Sequence, residues 1–190
     1  MIGDAAVAAK PAAASGFTPI TDSFNRADNA SSVGTTDTGQ AWTTNSGTMG
    51  INSNELYCTA LSSDAVCTVD STITDVRVKG VPTTTLVGRY FGVVGRCVDN
   101  NNYYLAQSDS AASSIYKKVA GSFTQLANFG TAMATNDQLQ LRCNGTTIEL
   151  LVNGTTVLST TDSSLTTGTR CGIRFSITSL RADSFAVDAA

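Results

Sequence analysis

The stretch DQLQLRCNGTTIELLVNGTTVLSTTD, residues 137–162, contains two Asn-Gly pairs at 144–145 and 153–154. Each pair separates runs that are rich in Leu, Ile, Val and Thr, the residues that fit a pleated strand. Asn-Gly between such runs is the strongest short-range signal for a β-hairpin, because both residues accept the positive φ of a tight turn. The stretch therefore predicts a three-stranded antiparallel meander.

The hydrophobic positions of this meander predict which face is buried. A two-residue loop at 144–145 pairs Leu141 with Ile148, and it also pairs Leu139 with Leu150. Side chains two residues apart on a strand share a face. We therefore expect these four side chains to lie together on one buried face.

The rest of the chain repeats the same design of short alternating runs and turn residues. In the tail CGIRFSITSLRADSFAV, residues 171–187, Ile173, Phe175 and Ile177 alternate with small or polar residues. Further runs are NELYCTA, AVCTVD, DVRVKGV, RYFGVVGRCV, YYLAQ, SSIYKKV and SFTQLANF. This spacing of about a dozen short strands indicates an all-β sandwich or barrel.

Composition excludes several classes of partner. Charged residues are only 14% of the chain and give a net charge of -3, with no basic stripe of the kind that binds nucleic acid. No apolar run approaches the 18 or more residues of a membrane-spanning helix. We expect a protein that binds neither nucleic acid nor membrane.

The cysteines do not form a recognisable framework. There are five, an odd number without any C-x-x-C pair, which argues against a complete set of disulfides and against a zinc site. Cys58 and Cys67 could face each other across a hairpin and form one disulfide. The alternative is that both are buried free thiols, which behave as small hydrophobic side chains.

The sequence divides into an arm and a domain. Residues 1–19 are Ala-rich, but Asp4 and the Lys10-Pro11 pair interrupt the pattern of a secretory signal peptide. A terminal segment frays unless something holds it. We therefore expect residues 1–19 to be an extended arm that contacts a neighbouring subunit in a homo-oligomer, and residues 20–190 to be one domain.

Several segments together resemble a known superfamily. They are NNNYYLAQSD, IYKKVAGSFTQLA, the meander with its VNG turn, GIRF, and the closing LRADSFAV. Over about residues 20–188 this order resembles the concanavalin A-like lectin and glucanase superfamily, particularly laminin-G-like jelly rolls. The resemblance implies an all-β, antiparallel two-sheet jelly-roll sandwich, here with an N-terminal arm. The opening DSFNRAD with Trp42 is similar to domains of phage tail and other virion-surface proteins, and of secreted bacterial carbohydrate-binding proteins.

Two stretches near the chain ends, DSFNRAD and RADSFAV, contain the same tripeptides in swapped order. In a jelly roll the first and last strands commonly lie side by side. We therefore interpret Phe24 and Phe185 as matching core anchors of a clasp between the chain ends. Both RAD segments would then lie toward the same end of the domain, with Arg26 within reach of Asp183.

The sequence offers little catalytic or metal-binding chemistry. The absence of His removes the usual Ser-His-Asp, Cys-His and His-metal arrangements. The two glutamates, Glu55 and Glu149, do not begin the E-x-D-x-x-E strand of the glucanase branch. Four aspartates could ligate calcium, but none belongs to a dense acidic loop: Asp22, Asp99, Asp183 and Asp188. We expect no enzyme activity, no cofactor and no metal site.

Carbohydrate binding remains as a candidate function. A sugar site needs aromatic faces and planar polar groups on a sheet or loop rim. Strand alternation could gather five such side chains on one concave face: Tyr90, Arg96, Tyr104, Tyr116 and Arg174. The alternative, which the residue types favour, is that the tyrosines pack a second small core or a subunit contact.

We interpret the chain as a non-enzymatic virion structural protein, a capsid decoration or a tail or fibre component that assembles in the host cytoplasm. Its arm would bind other virion proteins, and its lectin-like domain would adhere to glycans. The alternative is a secreted bacterial carbohydrate-binding module. A hydrolase is the third hypothesis.

Overall fold

The computed structural model of the protein describes residues 16–130 and 133–190, so most of the predicted arm, residues 1–15, lies outside the described residues. The described residues form fifteen β-strands and no helix. None of them forms a helix long and apolar enough to span a membrane. The strands build two antiparallel sheets that pack as a sandwich. The predicted all-β, two-sheet jelly roll is confirmed.

The eight-stranded sheet runs β13-β12-β11-β6-β15-β4-β3, with β1 paired to β15. Its strands are β1 (Ile20–Asp22), β3 (Thr48–Asn52), β4 (Glu55–Ala60), β6 (Val76–Pro82), β11 (Leu139–Asn144), β12 (Thr147–Val152), β13 (Thr155–Thr161) and β15 (Arg181–Ala189). The seven-stranded sheet runs β10-β9-β8-β7-β14-β5-β2. Its strands are β2 (Thr43–Ser46), β5 (Ala65–Asp70), β7 (Phe91–Asp99), β8 (Asn102–Ser108), β9 (Ser113–Val119), β10 (Ser122–Phe129) and β14 (Arg170–Phe175).

The main core lies between the sheets. The seven-stranded sheet contributes side chains such as Phe91, Val93 and Ile173, and the eight-stranded sheet contributes Val78 and Leu141. All five are fully buried. Each such side chain stabilises the fold by about 1.5–3 kcal/mol relative to its exposed state, so this layer holds the two sheets together.

The predicted meander is present as β11, β12 and β13, with one correction to its register. Leu141 lies opposite Leu150 rather than Ile148, because the first loop consists of Gly145 and Thr146. Gly145 takes a φ of 54°, and its N–H donates to Asp75 Oδ1 at 3.2 Å. The slip is two residues, which keeps every side chain on its face.

The second hairpin follows the prediction directly. Asn153 and Gly154 occupy its two-residue loop with φ angles of 50° and 81°, the positive pair that a type I′ turn requires. The four leucine and isoleucine side chains of the predicted buried face are all fully buried: Leu139, Leu141, Ile148 and Leu150.

The first and last strands of the described residues pair, as the clasp interpretation predicts. β1 pairs antiparallel with β15, with Ile20 opposite Val187. Phe24 and Phe185 are both buried, and the ring of Trp42 packs between them at centroid distances of 5.9 Å and 4.8 Å. Trp42 is therefore a half-buried residue that packs against the core and ties the first segment to the last strand.

The two RAD segments meet at one end of the sandwich, but by other contacts than predicted. Arg26 forms its ion pair with Asp22, not with the exposed Asp183, because a buried carboxylate is costly without a cationic partner. The segments converge instead on the β3–β4 turn. Asp28 Oδ1 accepts from the Ser53 N–H at 2.7 Å, and Arg181 Nη2 donates to Asn52 Oδ1 at 2.9 Å.

All five cysteines are free and buried. Cys58 lies on β4 and Cys67 on β5, which belong to different sheets rather than to one hairpin. Of the two alternatives, a disulfide between Cys58 and Cys67 or two buried free thiols, the structure shows two buried free thiols.

Candidate functional site

The seven-stranded sheet is buried on both faces at its centre. One face packs on the main core, and the opposite face, which we call the outer face, carries a second hydrophobic cluster. This outer cluster consists of Val66, Val94, Cys97, Tyr103 and Leu105, with the half-buried Tyr116 packed against it. The second small core, which the sequence analysis gave as the alternative to a sugar site, is thus present in the structure.

The β9–β10 hairpin places an aromatic ring over the outer cluster. Ala120 and Gly121 form its turn, with φ angles of 49° and 83°, and Phe123 pairs with Lys118 across the hairpin. The Phe123 ring lies 6.1 Å from Tyr103 and 6.2 Å from Tyr116, in edge-on geometry. Phe123 nevertheless remains 43% exposed, so part of its ring faces solvent.

Arg174 provides the polar part of the outer face. Its Nε donates to Asp64 Oδ2 at 3.0 Å, and its Nη1 donates to Gln107 Oε1 at 2.9 Å. Gly92 lies between Arg174 and Gln107 in the strand register. Since Gly92 has no side chain, the guanidinium can cross β7, and its carbon lies 5.6 Å from the Phe123 ring centre.

These side chains line an open surface cleft of about 200 Å³, which we call the outer-face cleft. Its lining consists of Leu105, Gln107, Tyr116, Phe123 and Arg174. The Tyr116 hydroxyl donates to Gln125 Oε1 at 2.8 Å, which holds that ring in place. The cleft combines aromatic walls with a few fixed polar groups, the usual make-up of a small-molecule site.

Three of the five predicted site residues lie on the outer face. Tyr116 and Arg174 line the cleft. Tyr90 precedes β7 and shares a face with Gly92 by strand alternation; it is 42% exposed but does not line the cleft.

The predicted position of Tyr104 is wrong. Its side chain lies in the main core, where its hydroxyl donates to Asp162 Oδ1 at 2.6 Å and accepts from the Leu165 N–H at 3.2 Å. The neighbouring Leu105 packs in the outer cluster instead. Both faces of β8 are buried, so hydrophobicity alone did not distinguish them.

The predicted position of Arg96 is also wrong. Strand alternation places it beside Val94 on the outer face, but the register of β7 shifts after Gly95 and Arg96 takes a φ of 46°. A bulge of this kind redirects a side chain. The Arg96 guanidinium is buried instead, with Nη2 donating to Asp75 Oδ1 at 2.6 Å and Nε to the Thr74 carbonyl at 2.9 Å.

Sequence reasoning did not find Leu105, Gln107 or Phe123. The signal for Phe123 was available, because a turn at 120–121 pairs it with Lys118 and so puts it on the same face as Tyr116. Gln107 shares a face with Leu105, which is two residues away on β8. The sequence did not determine whether that face points to the main core or away from it.

Carboxylates and thiols near the cleft are already engaged. The Asp64 side chain is only 3% exposed and is paired with Arg174. Burial raises the pKa of the Cys97 thiol to about 12, so this cysteine stays protonated and unreactive at neutral pH. No group of three potential metal ligands occurs within residues 16–130 and 133–190.

No family model and no curated protein matches the sequence. Solved structures do match. Carbohydrate-binding module CBM66 from Bacillus subtilis is similar with a TM-score of 0.58 and 21% identity, over 77% of this chain and 90% of that one. A lichenase, a β-1,3-1,4-glucanase from a mouse hindgut metagenome, is similar with a TM-score of 0.58 and 10% identity, over 92% and 100% of the two chains.

A third structure, a Bacillus subtilis protein of unknown function with a galectin-like fold, has a TM-score of 0.57 and 12% identity, over 78% of this chain and 89% of that one. At these identities the likenesses show a shared fold. It is an antiparallel two-sheet jelly roll.

Proposed function

We propose that this concanavalin A-like jelly roll is a lectin-like module that binds carbohydrate in the outer-face cleft. The observation that carries the proposal is the placement of the Arg174 guanidinium and the Gln107 amide beside the rings of Tyr116 and Phe123. Aromatic walls suit the apolar face of a sugar ring, and planar donors suit its hydroxyl groups.

The fold comparisons support this choice. The CBM66 structure is named a carbohydrate-binding module, and its fold extends over most of this chain. The proposal for this protein still depends on its own cleft, because one fold can carry unrelated functions.

We further propose that the module is not a glycosidase, although the fold is shared with a lichenase. Glycosidases of the usual kind need two carboxyl groups, about 5–10 Å apart, on either side of the scissile bond. None of the described residues that line the cleft is a carboxylate, and the carboxylate that is paired with a lining residue, Asp64, is held by Arg174. A sugar would therefore be bound rather than cleaved.

For the biological setting, we propose display on a virion, as a capsid decoration or a tail or fibre component. The resemblance of DSFNRAD and Trp42 to virion-surface domains supports this setting. Five free thiols fit assembly in a reducing cytoplasm. A secreted carbohydrate-binding module is the alternative, and labelling of purified particles with an antibody against the protein distinguishes the two.

The binding proposal is tested with a panel of immobilised polysaccharides and the variant Phe123→Ala. Loss of an aromatic wall is expected to weaken binding by about ten-fold, because a well-packed aromatic contact contributes about 1.4 kcal/mol or more. Tyr57→Ala is the matched control, since Tyr57 is a half-buried aromatic of β4 in the other sheet. Equal affinities of Phe123→Ala and wild type, or equal losses in both variants, would count against the cleft.

A further inference from the structure

One cation of the outer face lacks an anionic partner. Lys118 is only 7% exposed, and among the described residues it makes no hydrogen bond and no ion pair; its ammonium contacts aromatic rings instead. It lies 5.3 Å from the Tyr103 ring centre and 5.1 Å from that of Phe123. Within residues 16–130 and 133–190 the other nearly buried base is Arg96, which is paired with Asp75.

This arrangement is unusual for a lysine. Lysines are almost never this deeply covered without a partner. The Lys118 ammonium is not among the fully buried polar atoms that lack a hydrogen bond, so it keeps contact with solvent while its stem and the two rings cover the rest of the side chain. An anion that arrives from solvent would supply the missing partner.

Lys118 lies beside the cleft. On β9 it is two residues from Tyr116 and shares its face. Lys118 Nζ and Arg174 Cζ both lie within 6 Å of the Phe123 ring centre, and Phe123 lines the cleft. A sugar ring that rests against Phe123 can therefore present a substituent to either cation.

The local charge opposes that of the whole molecule. The chain carries a net charge of -3, so its overall field repels polyanions. At the cleft, Asp64 is paired with Arg174, which leaves the Lys118 charge uncompensated. Attraction for an acidic sugar would have to come from this site and not from general electrostatics.

We propose that the outer-face cleft selects sugars that carry a negatively charged group, a carboxylate or a sulfate, through Lys118 and Arg174 Nη2, the guanidinium nitrogen that makes no hydrogen bond within the described residues. This inference rests on the proposed carbohydrate-binding function and names its ligand class. Lys118 acts as a specificity residue, and the aromatic walls hold the sugar ring.

The test uses pairs of polysaccharides that differ only in charge. Polygalacturonate is compared with its methyl ester, and dextran sulfate with dextran, each immobilised and probed with the full chain at constant ionic strength. The protein is expected to bind the charged member of at least one pair about ten-fold more tightly, the size of effect that one charge-assisted hydrogen bond gives. Which pair responds distinguishes a carboxylate from a sulfate.

Lys118→Met removes the ammonium and keeps an apolar stem of similar length over the rings. It is expected to abolish the preference for the charged member, while Lys118→Arg retains it. Lys79→Met is the matched control: it changes the net charge equally, but on β6 of the other sheet, where Lys79 is paired with Asp188. Melting curves of each variant check that the fold is intact.

The outcomes separate the two proposals. Equal affinity for both members of each pair, or a preference that survives in Lys118→Met, overturns the selection of acidic sugars and leaves carbohydrate binding in place. Failure to bind any of the four polysaccharides or the wider panel overturns both proposals.

Discussion

At the scale of the residue, Asp22 makes several contacts that stabilise the fold, although the resemblance of the DSFNRAD segment to other proteins does not indicate this role. Its side chain is fully buried and forms an ion pair with Arg26. Its oxygens also accept from the Trp42 Nε1–H at 2.6 Å and the Phe24 N–H at 2.8 Å. One carboxylate therefore holds three parts of the clasp between the chain ends.

We predict that Asp22→Ala lowers the free energy of unfolding by about 3 kcal/mol, because it leaves a half-buried cation and two donors without their acceptor. Urea unfolding followed by the fluorescence of Trp42, the single tryptophan, measures the change. Asp183→Ala is the control, since Asp183 is exposed on β15, and it should cost less than about 0.5 kcal/mol. Similar losses in the two variants would show that the carboxylate contacts do not matter.

Strand alternation predicts the face of a side chain on β9 but not on β8. Alternation correctly separated Ile115 from Tyr116 and Lys118, because β9 pairs with β8 in an unbroken register and its side chains therefore alternate strictly. It did not separate Tyr103 from Tyr104, since β8 is buried on both faces. A hydrophobic pattern indicates a strand, but it names the core face only when the opposite face is polar.

At the scale of the element, the end of β13 is fastened to the other sheet through Asp162. Lys117 Nζ donates to Asp162 Oδ2 at 2.7 Å, and the Tyr104 hydroxyl donates to Oδ1 at 2.6 Å. Burial alone would raise the pKa of Asp162, but hydrogen bonds from Lys117, Tyr104 and Ser164 lower it well below its usual range. The folded state therefore favours the ionised carboxylate.

A pH dependence follows. Because the folded pKa is depressed, the contribution of Asp162 is fully present above its unfolded pKa of about 3.9 and is lost as the pH falls below that value. We predict that Asp162→Asn flattens the dependence of the unfolding free energy on pH between about 4 and 2, while the two proteins run parallel above pH 5. Urea titrations across this range measure it, and identical slopes would contradict the interpretation.

The turns of the meander require residues that tolerate a positive φ, and the energetic cost of replacing such a residue can be measured. Gly154 has a φ of 81° and open space around its Cα, whereas Gly130 has open space without a positive φ. Gly154→Ala is predicted to cost about 1–2 kcal/mol, the penalty of a left-handed alanine, and Gly130→Ala to cost almost nothing. Thermal unfolding of both variants compares them, and equal stability would mean that the turn is not strained.

The sequence anticipated the strands of this meander and its buried face from its two Asn-Gly pairs. It placed the second loop correctly and the first loop one residue too early. The Gly145 N–H donates to Asp75, which lies in the loop between β5 and β6 and is distant in sequence, so the sequence did not indicate this contact. The β7 bulge that buries Arg96 is likewise set by tertiary contacts. The sequence indicated the local turns, but it did not indicate the hydrogen bonds between residues that are distant along the chain.

At the scale of the whole molecule, all five thiols are enclosed by the sandwich and its outer cluster. Burial raises the pKa of each, for example to about 12 for Cys143. We predict that iodoacetamide at neutral pH labels none of them in the folded protein and all five in urea, as counted by mass spectrometry. Rapid labelling of one thiol under native conditions would show that part of the sandwich opens without global unfolding.

The molecule thus has one sheet face that is packed into a core and an opposite face that is only partly covered, where glycines, aromatic rings and two cations leave a cleft. The proposed ligand binding belongs to that partly covered face. Substitution of the half-exposed Phe123 should therefore change binding more than stability, whereas substitution of Leu105, which is fully buried in the outer cluster, should lower stability as well.

The most direct test of carbohydrate binding in the outer-face cleft is an NMR titration of the isotope-labelled protein with polygalacturonate oligosaccharides and their methyl esters. The account predicts saturable shifts of amide resonances at Gln107, Tyr116, Phe123 and Arg174, with the resonances of Tyr57 and the rest of β4 unchanged. Shifts confined to the eight-stranded sheet, or no shifts with these or any other sugars of the panel, would contradict it.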